Sequence, residues 1–158
     1  MQTIDEIYIH ADPEAIYYAA VSIEAWPQIL PHYRWVTIFA QSGNRRWVEM
    51  AAWRGWFPVK WISEQWCDRS TLRVYYTHIG GATKGMGVLW HIQPHEDGAR
   101  VLLVHELALT QPIIRSRLGQ WMVGHWFVKP VAQKTLSHLK RYLEDKQCAE
   151  QSSPDLVR

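Results

Sequence analysis

The chain has 158 residues and a formal net charge of +2 at pH 7. That is the length of one domain with a sizeable core, and a balance that argues against the concentrated basic face of a nucleic-acid binder. Hydrophobic residues make up 47% and charged residues 20%, as in ordinary globular proteins, and no stretch approaches the roughly 20 apolar residues of a membrane span.

Residues 3–11 alternate, with Ile4, Ile7 and Ile9 as the candidate inward set, and predict an opening strand. The same N-terminal stretch carries Asp5 and Glu6 and lacks a long apolar run, so no signal peptide is expected and a cytoplasmic location follows. Asp12-Pro13-Glu14 is a helix start, with Asp12 as cap and Pro13 at the first helical position. A short helix over 14–21 follows, and Ser22 restarts a second one, which Pro27 and Pro31 bound.

From Tyr33 the period changes to two. Strands are predicted over 33–41, 46–54, 57–67, 71–79, 84–93 and 100–110, separated by Gly-, Asn-, Asp- and Pro-containing turns. Their inward sets are Val48, Met50 and Ala52; Phe57, Val59, Trp61, Ser63 and Cys67; Leu72, Val74, Tyr76 and His78; Met86, Val88, Trp90 and Ile92; and Val101, Leu103, His105, Leu107 and Leu109. The last element is one long helix from Leu118 to about Lys146. Trp121, His125, Val128, Ala132, Leu136, Leu139 and Leu143 fall on one face of it, and Pro130 should kink it near Trp126. Residues 1–146 therefore read as a single domain and 147–158 as a flexible C-terminal tail.

Six consecutive turn-linked strands imply an antiparallel sheet, and one helix covers only part of its concave face. The ten tryptophans and seven tyrosines then either fill the remaining space or line a pocket for something flat and apolar. The two cysteines, Cys67 and Cys148, lie too far apart to suggest a disulfide framework or a metal site, and no tight HxxxH or CxxC pair is present. No metal and no cofactor are expected.

This order of elements resembles the helix-grip fold of the START-like and polyketide cyclase/dehydrase (SRPBCC) superfamily. The residues that carry the resemblance are Ala11-Asp12-Pro13-Glu14, Trp26-Pro27 and Pro31; then Gly87, Trp90, Pro94 and Gly98-Ala99-Arg100-Val101; and, in the last helix, Thr135-Leu136, Leu139-Lys140 and Glu144. It spans roughly residues 3–146. It implies an α+β fold: a curved seven-stranded antiparallel sheet wrapped around the long C-terminal helix, with two short helices after the first strand. It also implies a cavity between sheet and helix that binds a small hydrophobic molecule such as a lipid, a quinone or a polyketide.

The candidate ligand-binding residues are Trp61, Tyr76, His78, Trp90, Trp121 and His125. Resemblance to aromatase/cyclases keeps a catalytic alternative open, with Tyr33, Arg54 and His105 orienting a polyketide and moving protons; at Arg54 a salt-bridged strand end is the plainer reading. A third alternative is an accessory protein handling coenzyme Q or lipid, which visits a membrane through Trp56 and Phe57 at the tip of the second hairpin. The oligomeric state, monomer or dimer, stays open.

Overall fold

The computed structural model describes residues 1–108 and 116–152. Seven strands, β1 (Gln2–Ile9), β2 (Tyr33–Ser42), β3 (Arg45–Arg54), β4 (Phe57–Asp68), β5 (Arg73–Gly81), β6 (Met86–His95) and β7 (Gly98–Leu107), form one curved sheet in the order β1-β7-β6-β5-β4-β3-β2. Every neighbouring pair is antiparallel. The chain runs down the sheet hairpin by hairpin, except that β1 lies beside β7. That closure is tight at Gly98, where a Cβ would stand 2.1 Å from the Ile9 carbonyl oxygen. Only glycine fits there.

Between β1 and β2 lie α1 (Pro13–Val21), a 3-10 turn (Ile23–Ala25) and α2 (Trp26–Ile29). The side chain of Asp12 accepts from the Glu14 N–H at 3.3 Å, and Pro13 occupies the first turn, as the start signal predicted. After β7 come α3 (Arg117–Val123), a π-helical turn (Gly124–Val128) and α4 (Lys129–Gln151). α4 lays Ala132, Thr135, Leu136, Leu139 and Leu143 against the sheet. Its far end is clipped to β1: Lys140 donates to the Tyr8 carbonyl at 2.8 Å and to Glu144 at 2.6 Å, and Glu144 accepts from the His10 N–H at 2.9 Å.

The inward faces read from period two hold across the middle of the sheet. Val48, Met50, Trp61, Val74, Tyr76, His78, Trp90, Ile92, Val101, Leu103 and His105 are all buried. Three placements differ. On β1 the buried position is Asp5, while Ile4 is 60% exposed; side chains alternate, so the inward set is Asp5, Ile7 and Ile9. Burial raises the Asp5 carboxyl above its usual range, opposed by Lys129 and Gln133 of α4, and its Oδ2 has no hydrogen-bond partner among the described residues, so this inward position carries a polar cost that an apolar residue would not. Phe57 stands at a hairpin tip and is 59% exposed. The last helix continues past Lys146 to Gln151. Leu109 and Thr110, expected in the last strand, lie outside the described residues, as do 153–158.

Candidate functional site

Sheet and helix enclose a cavity of about 60 Å³. That is room for a few waters, far below the roughly 300–1,000 Å³ of ligand sites that hold a whole small molecule. Six of the residues singled out from the sequence line it: Tyr33, Trp61, Tyr76, His78, Trp90 and His105. Strand pairing explains why they meet. His78 follows Tyr76 on the inner face of β5, Tyr76 is opposite Val88 on β6, and Val88 is opposite His105 on β7. Trp26, from the start of α2, fills the middle, with its ring 5.0 Å from Tyr33 and 5.8 Å from Trp90. Its indole N–H donates to the Ala19 carbonyl at 2.9 Å, so the bulky ring is buried without an orphaned donor.

The polar groups of this cavity are few. The His78 ring stacks on Trp61, with centroids 5.7 Å apart and planes 8° from parallel, and its Nδ1 is 2.5 Å from the Thr83 hydroxyl. His105 is 7% exposed, and its Nδ1 has no hydrogen-bond partner among the described residues. Burial pushes both imidazoles below their ordinary range, His78 to about 3 with the neighbouring His105 adding to the effect, and His105 to about 4. Both rings are therefore neutral near pH 7. Burial holds the Tyr33 phenol above its usual value, opposed by a hydrogen bond with Thr135. No Arg, Lys, Asp or Glu among the described residues lines the cavity.

Three expected site residues lie elsewhere. Arg54 ends β3 and donates from Nε to the backbone carbonyl of Trp126. The reason is local: in a regular helix the N–H of residue 130 would serve that carbonyl, and Pro130 has none. Trp121 is 49% exposed and His125 is exposed; their rings stack on each other at 5.3 Å. Together with Asp5 and Lys129 they line a separate groove of about 260 Å³ against β1. The π-helical turn explains this as well. It takes an extra residue per turn, so the inward face of α4 passes to Phe127 and Val128 instead of continuing to His125 and Trp121.

Thr135 and Phe127 are cavity residues that the sequence reading did not single out. Thr135 was visible as a lone hydroxyl on the apolar face of the last helix, between Ala132 and Leu136. In the structure its Oγ1 lies 2.9 Å from Nε2 of the buried His32. Phe127 depends on the π turn and carried no such signal. It lines both the cavity and an outer apolar cleft of about 620 Å³, which it shares with Arg54, Trp56, Phe57, Met122 and Trp126. Among the described residues no cluster of three or more His, Cys, Asp or Glu is placed to hold a metal ion.

No family model matches the sequence, and no curated protein matches it. Solved structures do. A Thermus thermophilus protein, TTHA0849, is 25% identical and superposes with a TM-score of 0.73 over 95% of this chain and 99% of its own. The Zhui aromatase/cyclase of Streptomyces sp. R1128 gives a TM-score of 0.80 at 12% identity, over 91% of this chain and 93% of its own. A START superfamily protein of Mycobacterium smegmatis gives 0.67 at 16% identity, over 92% and 95%. At such identities the shared property is the fold. On that ground the chain has the helix-grip fold that these aromatase/cyclase and START superfamily structures share.

Proposed function

We propose that this protein binds a small hydrophobic molecule between the sheet and the C-terminal helix, as a carrier or sequestering protein. The observation that carries the reading is the double role of Phe127, one wall of both the inner cavity and the outer apolar cleft. The inner cavity as it stands is too small for a lipid or a polyketide, so binding requires its wall to move. The π-helical turn that carries Phe127 is the least regular part of that wall. Native mass spectrometry of freshly expressed protein, followed by solvent extraction, tests this. A releasable quinone, lipid or aromatic molecule is the expected result. A clean apo mass, in protein that also ignores a panel of hydrophobic dyes, would mean that the side chains simply fill the space.

The cyclase alternative needs Tyr33, Arg54 and His105 around one substrate. Tyr33 and His105 do line the cavity, but the Arg54 guanidinium serves the helix backbone, and we give binding priority over catalysis on that ground.

The membrane-visiting alternative has an observation in its favour. Trp56 is 82% exposed beside Phe57, and Trp126 across the outer cleft is 63% exposed. The segments forming this tip, 53–58 and 116–128, carry Arg54 and Arg117 and no acidic residue. An apolar knob with a purely basic rim suits an anionic lipid surface. A ligand would then pass between bilayer and cleft without crossing water.

A further inference from the structure

We infer that the cavity selects a neutral, flat molecule carrying a hydroxyl group, a phenol or an enol, with His105 as the hydrogen-bonding partner of that hydroxyl. This rests on the binding reading above and narrows it.

Three observations carry it. The first is the orphaned Nδ1 of His105, on a side chain that is 7% exposed and lines the cavity. A buried polar atom without a partner costs free energy, and an occupant that supplies one gains that cost back. A neutral imidazole has one donor and one acceptor nitrogen, and a hydroxyl can serve whichever faces it. A purely apolar molecule leaves the nitrogen orphaned. The second observation is the absence of charge. With no Arg, Lys, Asp or Glu among the described lining residues, a carboxylate would be buried with no counter-charge. The imidazoles do not supply one near neutral pH, because burial keeps both unprotonated. The third is shape. The stacked Trp61–His78 pair and the Trp26–Trp90 contact give the cavity planar aromatic walls. Nδ1 of His78 is engaged by Thr83, whereas Nδ1 of His105 is buried with no hydrogen-bond partner among the described residues.

The test titrates the full chain at pH 7 with 2-naphthol, naphthalene and 2-naphthoate, following tryptophan fluorescence and calorimetry. 2-Naphthol should bind more tightly than either of the others, on the order of tenfold. In His105→Phe that preference should collapse to the naphthalene level while naphthalene affinity is kept. Should His105→Phe not fold, the imidazole 15N spectrum of the unmodified protein decides. The Nδ1 resonance of His105 should move with 2-naphthol and stay put with naphthalene. Equal affinity for 2-naphthol and naphthalene with an unmoved His105 resonance would overturn the inference, as would 2-naphthoate binding as tightly as 2-naphthol. Either result leaves hydrophobic binding intact. If none of the three binds, the binding reading falls and takes the inference with it.

Discussion

Gln65 is fully buried on β4, and both ends of its amide are used. Its Oε1 accepts from Arg46 at 2.7 Å, and its Nε2 donates to the Tyr76 hydroxyl at 2.8 Å and to the Val21 carbonyl at 3.3 Å. The Tyr76 hydroxyl in turn donates to the Ala20 carbonyl at 3.2 Å. One amide thus fastens the end of α1 to three strands. Gln65→Leu would leave Arg46 and Tyr76 short of partners and should cost about 1–3 kcal/mol in urea unfolding; an unchanged midpoint would mean that water takes the place of the amide. The histidines make a second residue-scale prediction. His32, His78 and His105 are held at about 4, 3 and 4 in the folded protein, against 6.5 for an ordinary histidine. The unfolded chain therefore binds protons first as pH falls. Stability should be level above about 6.5 and decline below it, each imidazole contributing at most about 1.4 kcal/mol per pH unit until its folded value is reached. Urea midpoints at pH 7.5, 6 and 5 check this, and His105→Phe should flatten the slope by one proton. A level profile would show that the rings are protonated in place. In the sequence Gln65 and His32 were not singled out, whereas Tyr76, His78 and His105 were legible as positions on inward faces. Their partners were not, because a hydrogen bond between β4 and α1 depends on how the helix lands.

At the scale of elements, the strands were easier to read than the last helix. Period two survives in any strand with one buried face, so the inner sets of β3 to β7 follow from the sequence alone. Five of the nine candidate site residues, Trp61, Tyr76, His78, Trp90 and His105, lie on the cavity for that reason, and Tyr33 joins them from the start of β2. On the last helix a constant period of 3.6, carried backward from Leu136, puts Trp121 and His125 inward. One π-helical turn is enough to rotate them out. Pro130 announced that something would happen near Trp126, but not that Arg54 would serve the carbonyl left there. If Arg54 steadies that turn, Arg54→Gln should speed amide hydrogen exchange over 117–128 while the amides of Leu136 to Leu143 keep their protection. If Phe127 is the wall that yields, Phe127→Ala should raise the association rate of a hydrophobic dye several-fold in stopped flow. An unchanged rate would place the route elsewhere.

For the molecule as a whole, turn-linked strands and one long helix implied an antiparallel sheet with a partly covered face, and the helix-grip fold itself came from the resemblance that residues such as Trp26-Pro27, Gly87, Trp90 and Gly98 carry. The size of the cavity was not. Ten tryptophans are equally consistent with a packed core and with a lined pocket, and here three of them, Trp26, Trp61 and Trp90, line a cavity of about 60 Å³. The tip is a feature of the molecule's exterior, and its test belongs at this scale. Vesicles of anionic lipid should retain the protein, and Trp56→Ser combined with Phe57→Ser should release it. Retention by the double variant would remove the membrane reading.

β1 pairs with β7 from Gln2 opposite Glu106 to Ile9 opposite Ala99, and α4 clips onto the same strand. β1 therefore has no neighbour in the sheet until about a hundred more residues have been synthesised, which at ribosomal rates takes several seconds. Until then the edges of β1 and the apolar inner face of the growing sheet stand open together. Contacts of such long sequence separation also slow the search once the chain is complete. The arrangement that gives this protein a cavity thus gives its nascent chain an interval of exposed sheet edge, in which it depends most on chaperones and is most prone to associate with copies of itself.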